Sequence, residues 1–249
     1  MRSFFIGIFM VLFAGLATAQ SFDNMSEAET EAFGAAVRAY LLENPEVIME
    51  AVAVLEKRQQ QEASLNDTDL VAQYAEQLFN DSFSHVSGNP DGTINIVEFS
   101  DYKCGYCKRA YPEILQLIED NPDIRLVLKE YPILGAESVL ASRAALAVLT
   151  NEGDEVYELF HDALMRENGP LTELSLPLIA ESVGADSAKM LEVMNSALIT
   201  QMIQSNRSLG QQMQISGTPT FVIGAQMLRG YVPLAGMQQI VAEIRDSQN

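Results

Sequence analysis

Between residues 26 and 55 apolar side chains recur at three- or four-residue intervals: Phe33, Val37, Tyr40 and Leu41, then Val47, Ile48, Ala51, Val54 and Leu55. Such spacing lays one apolar stripe along a helix, so two short amphipathic helices are predicted. Ser26 and Glu29 have the separation of a capping box at the first start. The run breaks at Glu43-Asn44-Pro45, where Asn44 suits a cap and Pro45 the first position of a new helix. Residues 59–69 are polar and read as a linker or a solvated helix, and residues 70–79 as one more helical piece.

The period changes beyond the turn cluster SGNPDG at residues 87–92. Residues 94–99 form a short β-rich run, 106–119 return to helical spacing, and 124–129 are again strand-like. A strand–helix–strand unit implies parallel pairing through a right-handed crossover. From 138 to 214 every signal is helical, interrupted at Gly153, Gly169-Pro170 and Gly184. Residues 220–223 and 226–228 predict a hairpin around Gly224-Ala225, and 234–246 a closing amphipathic helix. Strands on both sides of a helical block predict one α/β domain with residues 138–214 inserted into it.

The N-terminus adds a compartment. Arg2 precedes an apolar run over residues 4–16 and the small-residue pattern Ala17-Thr18-Ala19. This is the layout of a cleavable secretory signal peptide over residues 1–19, and the run is shorter than the ~20 residues of a membrane span. An uncleaved anchor is the rival reading. With 34 acidic against 15 basic residues the net charge is −19, which repels phosphate backbones and disfavours nucleic acid as a partner.

Export to an oxidising space favours structural disulfides, yet the chain has only two cysteines. Both lie in FSDYKCGYCKR, residues 99–109, as a C-x-x-C. Cys104 stands where a strand hands over to a helix, and free N–H groups at a helix N-terminus favour a thiolate. Lys103, Lys108 and Arg109 add cations nearby, and both effects lower a thiol pKa. The spacing makes Cys104 the outer, attacking thiol and Cys107 the resolving one. A closed zinc site needs four ligands, and neither His85 nor His161 has suitable spacing to the cysteines. No metal and no cofactor are expected, with Cu(I) capture by two thiolates as the residual alternative.

A strand leading into C-x-x-C at a helix start, a helical insert and the late GTPTF at 217–221 resemble the DsbA-type thiol–disulfide oxidoreductases, which have a thioredoxin fold. The stretch YLLENPEVI at 40–48 resembles the N-terminal segment of their ScsC subgroup, related to suppressors of copper sensitivity. The resemblance implies an N-terminal helical oligomerisation segment over residues 20–62, a linker and helix over 63–92, and a thioredoxin-like catalytic domain over 93–249. It implies that Pro219 is a cis-proline facing the cysteines and that the Thr218 backbone pairs with extended substrate. Thr218 before that proline, and Gly105-Tyr106 between the cysteines, are similar to the isomerase members. Glu98 stands six residues before Cys104, where the family keeps a buried acid that manages protons for the inner thiol. Strand alternation puts Glu98 on the face of Ile94 and Ile96, burial would raise its pKa, and Lys129 on the next strand would compensate it. An ordinary edge glutamate is the alternative. Pro112 predicts a kink in the helix after the cysteines.

The resemblance thus implies a periplasmic thiol–disulfide interchange protein, isomerase-like and oligomeric through residues 21–62. Its substrates would be unfolded or misoxidised exported proteins, and a membrane redox partner would recycle its thiols. A monomeric disulfide-donating oxidase stays open, as does a copper-handling or chaperone module.

Overall fold

The computed structural model describes residues 25–247, so the expected signal peptide lies outside the described residues. The chain divides into two units, Met1–Arg58 and Gln59–Asn249.

In the first unit, α1 (Glu27–Glu43) opens on the expected capping box: the Ser26 hydroxyl accepts from the Glu29 amide, and the Glu29 carboxylate accepts from the Ser26 amide at 2.8 Å. Asn44 closes it, its side-chain amide donating to the Tyr40 carbonyl at 3.0 Å. α1 buries no residue, and Val37, Tyr40 and Leu42 on it are exposed. α2 (Glu46–Gln73) is 28 residues long and its residues from 59 on belong to the second unit, so the polar stretch 59–69 is helix rather than linker.

The second unit is built on a five-stranded sheet, ordered β1-β3-β2-β4-β5. Its strands are β1 (His85–Gly88), β2 (Ile94–Ser100), β3 (Ile124–Glu130), β4 (Thr220–Ile223) and β5 (Gln226–Arg229). β2 and β3 pair in parallel across α4 (Gly105–Asp120); every other pairing is antiparallel. Between β3 and β4 run α5 (Ala136–Glu152), α6 (Asp154–Arg166), α7 (Ser175–Ser182), α8 (Ser187–Val193) and α9 (Ala197–Gln212). α3 (Ala75–Phe79) precedes the sheet and α10 (Leu234–Ser247) follows it. This is the α/β arrangement with an inserted helical block that the sequence predicts.

β1 was not expected. Its sequence, HVSG, carries one β-branched residue and runs into the turn cluster, so its polar residues read as loop. It nonetheless pairs with β3, His85 opposite Leu128 and Gly88 opposite Arg125. The sheet therefore draws an edge strand from ahead of residue 93.

The central strands are buried on both faces, which explains their continuous apolar character. Ile94 and Ile96 of β2 join Ile124, Leu126 and Leu128 of β3 in the larger core, under α4, α5, α6 and α10. Val97 and Phe99 face the other way, with Val127, Leu78, Leu209 and Met213. Gly210 of α9 lies so near the sheet-side ring of Tyr131 that a Cβ there would run into it.

Candidate active site

α4 begins at Cys104, its N-cap, and buries Cys107, Ala110, Ile114 and Leu117 along one stripe. The first turn therefore holds both thiols. Cys104 is 6% exposed and Cys107 fully buried, in keeping with an outer and an inner thiol. Both are free cysteines.

The two thiols are driven apart. Cys104 is lowered to about 5, first by the hydrogen bond from Cys107, opposed by burial, and further by the Thr218 side chain and the backbone amides of Cys107 and Tyr106. Cys107 is pushed up by the same bond, by burial and by the nearby charge of Glu98. A thiol that donates to its neighbour's thiolate favours one ionisation and resists its own.

The flanking cations contribute less than their positions suggest. Lys103 pairs with Glu137 at 2.9 Å, and Lys108 donates to the Glu167 carbonyl. Arg109 lies 4.5 Å above the Tyr231 ring. Each is turned to another element, and the helix terminus with Cys107 lowers the Cys104 pKa.

Across from Cys104 comes the loop ahead of β4. The Thr218–Pro219 peptide is cis, and the Cys104 sulfur lies 3.1 Å from the Thr218 carbonyl oxygen. The Thr218 hydroxyl is buried without a hydrogen-bond partner, near the sulfur whose pKa it helps to lower. Cys104, Cys107, Thr218 and Pro219 are thus brought together.

Glu98 is 3% exposed on the face of Ile94 and Ile96, where alternation places it. Burial raises its pKa to about 7, and the charges of Cys104 and Glu130 add to the effect. Lys129 is a correction. In the β2–β3 register Glu98 lies beside Leu128 and Lys129 beside Phe99, so the lysine projects from the opposite face of the sheet. It is fully buried there, its ammonium 2.5 Å from Asp81 and 2.8 Å from the Gln77 carbonyl. Adjacent residues on a strand alternate faces, so Lys129 cannot compensate Glu98 and instead anchors the segment after α3.

Several polar residues escaped the sequence reading. Asp101 is fully buried: Oδ1 accepts from the Lys103 amide at 2.8 Å, and Oδ2 from the Ile133 and Leu134 amides at 2.8 and 3.0 Å. Glu130, at the end of β3, takes hydrogen bonds from Tyr102 (2.6 Å) and Tyr157 (2.8 Å) on one carboxylate oxygen. Tyr102 also meets His161 Nδ1 at 2.8 Å. The signal for Glu130 was present, since alternation from Ile124 through Leu126 and Leu128 reaches it, but the predicted strand stopped one residue short.

The DSBA-like thioredoxin domain model matches residues 95–242, and the copper resistance protein ScsC N-terminal domain model residues 29–62. A thioredoxin-like oxidoreductase structure from Silicibacter pomeroyi is 38% identical with a TM-score of 0.65, covering 69% of this chain and 97% of that one. A linker-deletion mutant of Proteus mirabilis ScsC is 29% identical, TM-score 0.65, covering 90% and 98%. The thiol:disulfide interchange protein DsbA of Bordetella pertussis is 28% identical over 169 residues, 66% of this chain and 78% of its own length. Two Na(+)/H(+) antiporters of Salinispora are matched over 22% of their length, at 26% and 25% identity, so this chain spans about a fifth of those curated relatives.

Proposed function

We propose that this chain, which belongs to the DSBA-like thioredoxin domain family and has a thioredoxin-like fold with a helical insertion and N-terminal helices, is an exported thiol–disulfide oxidoreductase acting on protein disulfides. The observation that carries the reading is the opposed pair of thiols at one helix start, Cys104 lowered to about 5 and Cys107 pushed up, beside Thr218 and Pro219. The Cys104 thiolate attacks one sulfur of a substrate disulfide, forming a mixed disulfide and releasing the other sulfur as a thiolate. Cys107 gives its proton to the Glu98 carboxylate, attacks Cys104, and releases the first substrate sulfur as a thiolate. The extended backbone at Thr218 and Pro219 holds the substrate strand. Refolding of a scrambled-disulfide protein tests this: Cys104→Ser should abolish it, and full activity in that variant would end the thiol mechanism.

The finer reading is an isomerase that works as an oligomer in the periplasm. Supporting it are the ScsC-type match over residues 29–62 and the exposed apolar residues Val37, Tyr40, Leu42, Ile48, Met49 and Val52. Burial of such side chains between copies is the ordinary driving force for helical association. Light scattering on the chain with and without residues 21–62 tests the assembly, and a monomer in both cases would refute it. Thiols kept reduced in the exported protein would favour isomerisation by a recycled enzyme; an oxidised pair would favour a monomeric oxidase.

A further inference from the structure

Glu130 carries a burden that the thiol chemistry alone does not explain. It is buried, and no cation among the described residues pairs with its carboxylate; two phenols, Tyr102 and Tyr157, donate to the same oxygen. With Tyr102 donating to Glu130, His161 Nδ1 must carry the hydrogen it shares with Tyr102, which leaves Nε2 a bare acceptor, buried and without a partner. Glu130 thus ties β3, the loop just ahead of Cys104, and α6 into one knot.

Register gives the second half. Glu98 lies beside Leu128, and Glu130 beside Ser100, so the two carboxyls share one sheet face at diagonal positions, offset by two residues on neighbouring strands. Lys129, between Leu128 and Glu130, points away. The charged and titratable groups acting on the two carboxyls, besides each other, are Asp101, Tyr102, Cys104, Cys107 and Tyr157. A cavity of about 130 Å³ beside Glu98 adds His85 from β1, Tyr111 from α4, and Glu158 and His161 from α6. None of these is a lysine or arginine, and burial holds His161 neutral, with His85 adding to the effect.

We propose that Glu130 is a positioning residue of the thiol site: through Tyr102 it fixes the loop that presents Cys104, and its charge governs when Glu98 takes up a proton. The proposal rests on the thiol-exchange reading for its purpose, but not for its geometry. A negative Glu130 disfavours a second negative charge on the same dry face, so Glu98 stays protonated to higher pH while Glu130 is ionised. Burial raises both groups to about 7, which puts the coupling near neutrality.

The test is a carboxyl-carbon NMR titration of the full chain labelled at glutamate Cδ. In Glu130→Gln the Glu98 midpoint should move to lower pH by half a unit or more, about a threefold change in proton concentration. By reciprocity Glu98→Gln should move the Glu130 midpoint the same way by the same amount. No movement in either variant overturns the coupling, and if one variant fails to fold the other decides. Tyr102→Phe should speed amide exchange at Cys104 at least tenfold, whereas Tyr157→Phe, which removes an equivalent donor from the same oxygen, should not; equal effects overturn the loop-fixing role. Full refolding activity in Cys104→Ser would remove the redox reading while leaving these titrations to stand or fall alone.

Discussion

Replacing Cys107 by alanine isolates the largest influence on Cys104. In the reduced protein the Cys107 thiol donates to the Cys104 thiolate, while the backbone amides of Tyr106 and Cys107 and the Thr218 side chain give further support. The substitution deletes only the thiol donor; both amides stay. A hydrogen bond to a charged group contributes about 1.5–3 kcal/mol. At 1.36 kcal/mol per pKa unit, its loss should raise Cys104 by about one to two pH units. The assay is the rate of iodoacetamide alkylation from pH 3.5 to 9, since the thiolate alone reacts. In the parent protein only Cys104 should react, because Cys107 is buried and pushed up, and the rate should level off above about pH 6. In Cys107→Ala it should still be climbing at pH 7. A midpoint still near 5 would refute the reasoning and assign the effect to the helix terminus. A return to the free-thiol value would refute it from the other side, by showing that the amides contribute nothing.

Three further outcomes follow from the packing. Glu98 has a folded pKa of about 7 against 4.5 for the ordinary group, so its ionisation opposes folding: the penalty is absent below pH 4.5, grows up to pH 7, and is then constant at about 3 kcal/mol. Glu98→Gln should therefore raise Tm at pH 8 and leave it unchanged at pH 4; a gain independent of pH would sink this account. Gly210→Ala should cost about 1–3 kcal/mol in urea unfolding, because the Tyr131 ring it would strike is buried and bonded to the Ile215 carbonyl at 3.0 Å; a neutral change would show that the ring can give way. Lys129→Ala should cost about 3–5 kcal/mol by leaving Asp81 without its cation, and Lys129→Met with Asp81→Asn much less; equal losses would mean that packing, not charge, holds that corner.

Much of this was legible in the sequence because local rules and tertiary packing agree. The glycine breaks at 153 and 184 bound the inserted helices, both at positive φ, and the capping box at Ser26 starts α1. Cys104 at a strand-to-helix junction and Glu98 on an apolar strand face follow from period alone. What failed was pairwise: Lys129 was assigned to Glu98 by proximity in sequence, whereas the register puts them on opposite faces. The cations around the cysteines were expected to act on the thiols, but Glu137, the Glu167 carbonyl and Tyr231, all remote in sequence, draw them off. β1 was missed because its pairing with β3, not its own residue preferences, makes it a strand.

Asp101 has a consequence for the cost of exchange. One carboxylate gathers the amides of Lys103, Ile133 and Leu134, while its own carbonyl accepts from Cys104 at 3.0 Å. The loop that carries Cys104 and the loop that enters the helical block are thereby a single stiff hinge-plate. On the proposed thiol exchange, a substrate would meet at Cys104 a sulfur whose bearing is already set, so that ordering entropy is spent when the chain folds rather than at each encounter.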